Sequence, residues 1–213
     1  MAVFVVANPK GGVGKSTIST HLAGWLARQN PSDAEHPSVR LGDLDRQESA
    51  RLWLSLRPPE LPAIGLWEVG PDALTRLPRR TVHGVLDTPA GLTGARLQEV
   101  MKVADQVLVP LQPSVFDIYA TRDFITELRS KRKHAQVRIG LLANRVRERS
   151  FAAEQLEHFL QSLGEPVLGH LRDTHNYVHL AAHGLSLWDI TSSKVDRDLA
   201  QWQPVLDWLD LTA

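Results

Sequence analysis

Ten residues near the start of the chain constrain it more than any others: Asn8-Pro9-Lys10-Gly11-Gly12-Val13-Gly14-Lys15-Ser16-Thr17. They follow an apolar run, Ala2 to Ala7, and open onto a segment that sets Ile18, Leu22, Trp25 and Leu26 on one helical face. Strand, glycine-rich turn and helix together form the context in which a phosphate-binding loop is read. Glycine tolerates the bends that turn successive N–H groups toward one anion, and the helix beginning near Gly14 adds the positive end of its dipole. Gly11, Gly12, Val13, Gly14, Lys15, Ser16 and Thr17 are therefore the candidate phosphate cradle. Lys15 is placed to reach β- and γ-phosphate oxygens, and Ser16 to offer its hydroxyl to Mg²⁺.

The remaining pattern alternates strand and helix. Ser38–Gly42 reads as a second strand and ends at Asp43-Leu44-Asp45-Arg46-Gln47, ahead of a helix over Glu48–Leu56. Ile64–Val69 is a weak strand, and Asp72–Arg80 reads as a short helix. Val82–Leu86 is an apolar strand closing on Asp87-Thr88-Pro89, the arrangement in which an aspartate holds Mg²⁺ directly or through water. Further segments follow as helix 92–103, strand 106–111, helix 116–129, strand 137–143 ending at Asn144, helix 150–163 capped by Ser150, and strand 166–171. In the helix over 150–163, Phe151, Leu156, Phe159, Leu160 and Leu163 are expected to face inward. Such alternation implies an α/β fold, a mostly parallel twisted sheet with helices on both faces and ligand at the carboxyl ends of the strands. At 213 residues the chain fits a single domain, 1–213.

The loop departs from the general phosphate-loop pattern by carrying a second lysine, Lys10, just ahead of the glycines. This K-G-G-V-G-K-S-T form resembles the deviant Walker A box of the ParA/MinD superfamily of P-loop ATPases. The resemblance extends to D-L-D-R-Q after the second strand, where relatives usually show D-x-D-P-Q, to D-T-P at 87–89 and to V-P-L-Q-P-S at 109–114. It implies ATP and Mg²⁺ as cofactors. It further implies that Lys10 reaches across a dimer interface to phosphates held by the other subunit. By the same resemblance Asp45 positions the attacking water, Asp43 supports the metal shell beside Ser16 and Asp87, and Asn144 contacts the adenine ring. Lys10, Lys15 and Asp45 are thus the candidate catalytic residues. Read from the residues alone, Asp43 and Asp45 are equally suited to capping the next helix.

The family resemblance implies a homodimer when ATP is bound, nonspecific DNA binding, and a ParB-like or cargo-adaptor partner that stimulates hydrolysis. The cargo would be a plasmid, a chromosome region or a protein assembly. Lys+Arg and Asp+Glu are equal at 24 each, so any DNA contact must come from a local patch. One is visible: Arg122, Arg129, Lys131, Arg132, Lys133, Arg138, Arg145, Arg147 and Arg149 against Asp123, Glu127 and Glu148. Arg145, Arg147, Arg149, Arg172, Lys194 and Arg197 are the candidate DNA contacts. Arg172 lies where relatives carry I-P-R, and Ala181–Ser186 resembles the family's E-A-x-x-G segment with alanine in place of the acid.

Rival readings are separable. The chain has no cysteine, which excludes the nitrogenase-reductase-like and thiol-dependent metal-pump branches. Two basic residues against five aspartates from Trp188 onward do not make a basic amphipathic membrane helix, so no membrane partner is expected. His170, His175, His179 and His183 lack acidic companions at metal-ligand spacing. The opening Met-Ala-Val-Phe-Val-Val reads as a first strand and not a signal, which points to the cytoplasm, with nucleoid association following from DNA binding. A dethiobiotin-synthetase-type ligase shares the fold and is the alternative of a different class. No motif positions an arginine finger, so slow turnover by the isolated protein is expected.

Overall fold

The computed structural model describes residues 1–69, 74–130, 136–147, 150–191, 193–209 and 211. Among the described residues there are seven strands: β1 (Ala2–Val6), β2 (Val39–Asp43), β3 (Ile64–Trp67), β4 (His83–Asp87), β5 (Gln106–Leu111), β6 (Arg138–Val146) and β7 (Val167–Arg172). They form one sheet in the order β3-β2-β4-β1-β5-β6-β7, and every pairing is parallel. The helices are α1 (Lys15–Gln29), α2 (Ser49–Leu56), α3 (Gly94–Val103), α4 (Val115–Arg129), α5 (Phe151–Ser162), α6 (Asn176–Ala181) and α7 (Asp196–Trp208).

Alternation along β1 explains the layering. Ala2, Phe4 and Val6 enter one core with Ile18, Leu22 and Leu26 of α1, Trp53 of α2, Leu180 of α6 and Trp202 of α7. Val3, Val5 and Ala7 enter the other with Leu97 and Val100 of α3, Phe124 and Leu128 of α4, and Leu156 and Leu160 of α5. Successive strand side chains point to opposite faces, so a strand covered on both sides is buried throughout, as β1, β4 and β5 are, and its side chains are mostly apolar. Each fully buried large side chain contributes about 1.5–3 kcal/mol.

Two expectations require correction. The described part of Asp72–Arg80 is not helical. Leu74 bridges Val69, the Trp67 indole donates to Thr75 O at 2.8 Å, and a turn closes from Thr81 N to Pro78 O. Here tertiary contacts to Trp67 override a weak local pattern. Phe151 does not face inward but is 75% exposed, because it is the first residue of α5 and precedes the stretch that reaches the sheet. Ser150 does cap that helix, its hydroxyl accepting from Ala153 N at 3.2 Å.

Candidate nucleotide site

Parallel strands bring their carboxyl ends to one edge, and the loop Asn8–Gly14 leaves β1 there. Gly12 (φ 78°) and Gly14 (φ 96°) occupy the left-handed region that suits glycine. A Cβ at Gly14 would sit 2.2 Å from Asn144 Nδ2, so this position has no room for another residue.

The loop is held by side chains from three directions. Asn8 is fully buried; its Nδ2 donates to Pro110 O at 2.8 Å and to Thr121 Oγ1 at 2.9 Å, and its Oδ1 accepts from Lys10 N at 2.9 Å. Gln112 Nε2 donates to Gly12 O at 2.7 Å, and Asn144 Nδ2 to Val13 O at 2.8 Å. A trans peptide directs its C=O and N–H to opposite sides. Anchoring the Gly12 and Val13 carbonyls therefore turns the Val13 and Gly14 amides the other way, as an anion-binding loop requires. The anchoring roles of Asn8, Gln112 and Thr121 were not read from sequence. The signal available was an amide side chain directly after a strand end, at 8 and at 112.

The cleft beside the loop has a volume of about 700 Å³ and is lined by Gly11, Gly12, Gly14, Lys15, Ser16 and Thr17 of the loop and α1. Across from them stand Leu44, Asp45, Arg46, Gln47 and Ser49, with Pro89, Ala90 and Arg145. Lys15 is 7% exposed and rests its ammonium on Lys10 O at 2.8 Å. Burial lowers its pKa, countered in part by Asp87 and Asp45. Lys10 is not among the residues that line this cleft.

Asp87, at the end of β4, is fully buried. Its Oδ1 accepts from Ser19 Oγ at 3.2 Å, while Oδ2 has no hydrogen-bond partner among the described residues. Burial pushes its pKa up to about 7, with the Ser16 hydroxyl favouring the ionised form, the Asp43 charge opposing it, and Ser19 and Lys15 again favouring it. An orphaned buried carboxylate oxygen beside the loop serine fits a divalent cation. The described residues contain no cluster of three His, Cys, Asp or Glu that would hold a metal unaided. That donor set suits Mg²⁺, which keeps waters and takes phosphate oxygens along with one or two carboxylates.

Asp43 pairs with Asp87 across β2 and β4, but its carboxylate serves the backbone. Oδ1 accepts from Asp45 N at 2.9 Å, and Oδ2 from Ala50 N at 2.8 Å and Arg51 N at 3.2 Å. Burial raises its pKa and these amides oppose the shift. The helix-capping alternative thus describes what Asp43 does here. Asp45 lines the cleft and accepts from Gln47 N at 3.0 Å.

Asn144 is 5% exposed, with Nδ2 committed to the loop and Oδ1 accepting from Arg145 N at 3.0 Å. It also borders a second cleft of about 500 Å³, shared with Thr17, Arg145, Arg172, Tyr177 and Val178. Arg145 is strained at φ 52° and lines both clefts.

Of the candidate DNA contacts, Arg145, Arg147 and Arg172 line one cleft. Arg172 lines that cleft and also holds a buried carboxylate: Nε reaches Asp198 Oδ1 at 2.5 Å and an Nη reaches Oδ2 at 3.1 Å, with Asp198 fully buried. Arg147 pairs with Asp173 at 3.3 Å, Arg122 with Asp123 at 3.1 Å, and Arg129 with Glu165 at 2.6 Å. Lys194 and Arg197 are exposed at the approach to α7. Arg149, like Lys131–Lys133, lies outside the described residues.

Comparison with known proteins places this geometry. The chain is 30% identical over 216 residues to a maintenance of carboxysome distribution protein A from Gloeobacter kilaueensis, covering 98% of this chain and 94% of the relative. The protein of the same name from Halothiobacillus neapolitanus is 29% identical over 172 residues, 78% of this chain and 76% of the relative. The crystal structure of a plasmid partition protein from Borrelia burgdorferi bound to AMPPNP superposes with a TM-score of 0.73 at 16% identity, over 98% of this chain and 99% of that one. Residues 4–187 match the model of the CobQ/CobB/MinD/ParA nucleotide binding domain, and the chain belongs to that family.

Proposed function

We propose that this protein is a ParA-type ATPase that positions a cargo by cycling between an ATP-bound dimer on nonspecific DNA and a released ADP form. The observation that carries the reading is the division of labour between two lysines in one loop. Lys15 lines the cleft, whereas Lys10 is not among its lining residues and is the lysine we assign to a partner subunit's phosphates. ATP lies with its phosphates on Gly11–Thr17 and its base toward the cleft bordered by Asn144 and Thr17. Ser16 and Asp87 would hold Mg²⁺ together with phosphate oxygens, and Asp43 holds the Asp45 backbone in place. Asp45 orients water for attack on the γ-phosphate.

The cycle follows from differential contact. A γ-phosphate gripped from both subunits favours the dimer, and its loss removes that preference. Two monomers side by side double the weak phosphate contacts from Arg145, Lys194 and Arg197, so dimerisation raises DNA affinity. A partner protein stimulates hydrolysis and couples the cycle to cargo. The two relatives named for carboxysome distribution favour a protein assembly over a plasmid. No described helix is long and apolar enough to cross a membrane. The cycle as proposed acts on nucleoid DNA in the cytoplasm.

Size and DNA retention measured with ADP, ATP and no nucleotide test this reading. Asp45→Ala is expected to trap an ATP dimer on DNA, Lys15→Ala to remain monomeric, and Lys10→Ala to bind ATP without dimerising. DNA retention that is identical in every nucleotide state would exclude the cycle. Turnover of a small carboxylate or amine substrate would favour the ligase.

A further inference from the structure

Arg46 occupies a position where its charge has no structural task. It is exposed, it lines the phosphate cleft, and no ion pair or hydrogen bond of its guanidinium is found among the described residues. The acids around it are already engaged. Asp43 accepts three backbone amides, Asp45 accepts from Gln47 N, and Glu48 pairs with Arg51 at 3.4 Å. Its backbone is fixed by the turn in which Glu48 N donates to Asp45 O at 3.0 Å, a turn held firmly enough to keep Glu48 at φ 50°. The turn sets Arg46 one residue from Asp45 on the wall facing Lys15 and Ser16.

The other cation on the cleft rim, Arg145, also borders the cleft that contains Thr17 and Asn144, and so lies toward the base. Arg46 does not border that cleft. A planar guanidinium next to the water-orienting carboxylate is suited to a phosphoryl group whose charge spreads during transfer. Proline, usual at this place in relatives, would offer only a preset φ to the turn.

Resting on the reading of this cleft as an ATP site, we infer that Arg46 is a catalytic residue that contacts the γ-phosphoryl group of its own subunit and stabilises the charge developing there during hydrolysis. In that step the water oxygen bonds to the γ-phosphorus as the bond to the β,γ-bridging oxygen breaks. The bonding pair leaves with ADP; of the water's two protons one stays on inorganic phosphate and the other is released to solvent. Arg46 stays protonated throughout and exchanges no atoms. The chain thereby carries within itself the arginine that its motifs do not announce.

Single-turnover hydrolysis, AMPPNP affinity and affinity for ADP with aluminium fluoride decide the matter in Arg46→Ala, Arg46→Pro and Arg46→Lys. Ala and Pro are expected to slow hydrolysis roughly 100-fold or more and to weaken the aluminium fluoride complex by a similar factor. AMPPNP affinity should stay within about threefold, since only interactions stronger in the transition state raise kcat. Lysine should rescue partially, because it supplies charge without the fork. Equal losses for both ligands, or unchanged hydrolysis, would overturn the assignment. Mixing Arg46→Ala with Asp45→Ala subunits tests the cis placement: recovered turnover would show that Arg46 acts across the dimer and overturn it. Lys15→Ala serves as the control. If that variant keeps full nucleotide affinity, the ATP site itself is misread, a result distinct from failure of Arg46 alone.

Discussion

His21 shows how one side chain records the packing around it. It lies one turn into α1, with Nδ1 donating to Thr17 O at 2.9 Å and Nε2 without a partner among the described residues. Tyr177, Trp188 and Trp202 surround the ring at centroid distances of 5.0, 6.5 and 6.1 Å. Burial lowers its pKa to about 4, and the Thr17 carbonyl and the charges of Asp189 and Asp198 only partly oppose the shift. The unfolded chain therefore binds a proton below pH 6.5 that the folded one refuses. The associated stability is fully present above that pH and is lost as pH falls toward 4, by about 3 kcal/mol in all. Urea denaturation at pH 7 and pH 5 should show this loss, and His21→Phe should flatten it. Arg145 makes the complementary case at the backbone. At φ 52° an arginine is more strained than an asparagine, so Arg145→Asn should raise the unfolding free energy by about 0.5–1 kcal/mol, read as a higher urea midpoint at an unchanged m-value.

Between elements, the clamp joining α1, α2 and the segment after α6 dominates. The Asp189 side chain is shut off from solvent and takes Arg57 at 2.8 and 3.2 Å, Arg28 at 3.3 Å, and the Ser186 amide and hydroxyl at 2.8 and 2.6 Å. Burial alone would raise its pKa, but Arg57 and Ser186 hold it below the ordinary carboxylate value. Gly24 allows Ser186 to approach α1, and Gly184 (φ 65°) lies where a Cβ would meet the Arg57 backbone nitrogen at 2.4 Å. Asp189→Ala leaves Arg57, 4% exposed, without its buried counterion and should cost about 3–5 kcal/mol by denaturant titration.

The same scale shows what could be read in advance. The alternating pattern, the loop and the strand ending at Asp87 were legible because each signal is local. The Arg172–Asp198 pair spans 26 positions, and the anchoring of the loop by Gln112 spans 100. Such partners are chosen by the parallel crossovers, and neither neighbour announces the other. Phe151 was misplaced because periodicity marks a face of a helix but not how far along it the sheet extends.

For the molecule as a whole, the nucleotide edge is tuned against stability. Asp87 is an acid whose folded pKa is raised, so the nucleotide-free protein loses stability as pH climbs through about 7. Asp87→Asn should stabilise the free protein at pH 8 by on the order of 2 kcal/mol and abolish the extra thermal shift that Mg²⁺ adds to ATP. A thermal titration with and without chelator measures both effects. Mg²⁺·ATP at 100 times Kd should add about 2.7 kcal/mol to the wild type.

Anchored carbonyls at Gly12 and Val13 carry one more implication. A socket braced before its guest arrives loses little freedom on filling, so it greets ADP and ATP alike. Telling the two apart falls to what stands across from the socket: the short bend from Asp45 to Glu48 and, in the proposed dimer, the neighbouring copy. Timing in such a machine would then be kept at the rim of the socket, while its floor remains indifferent.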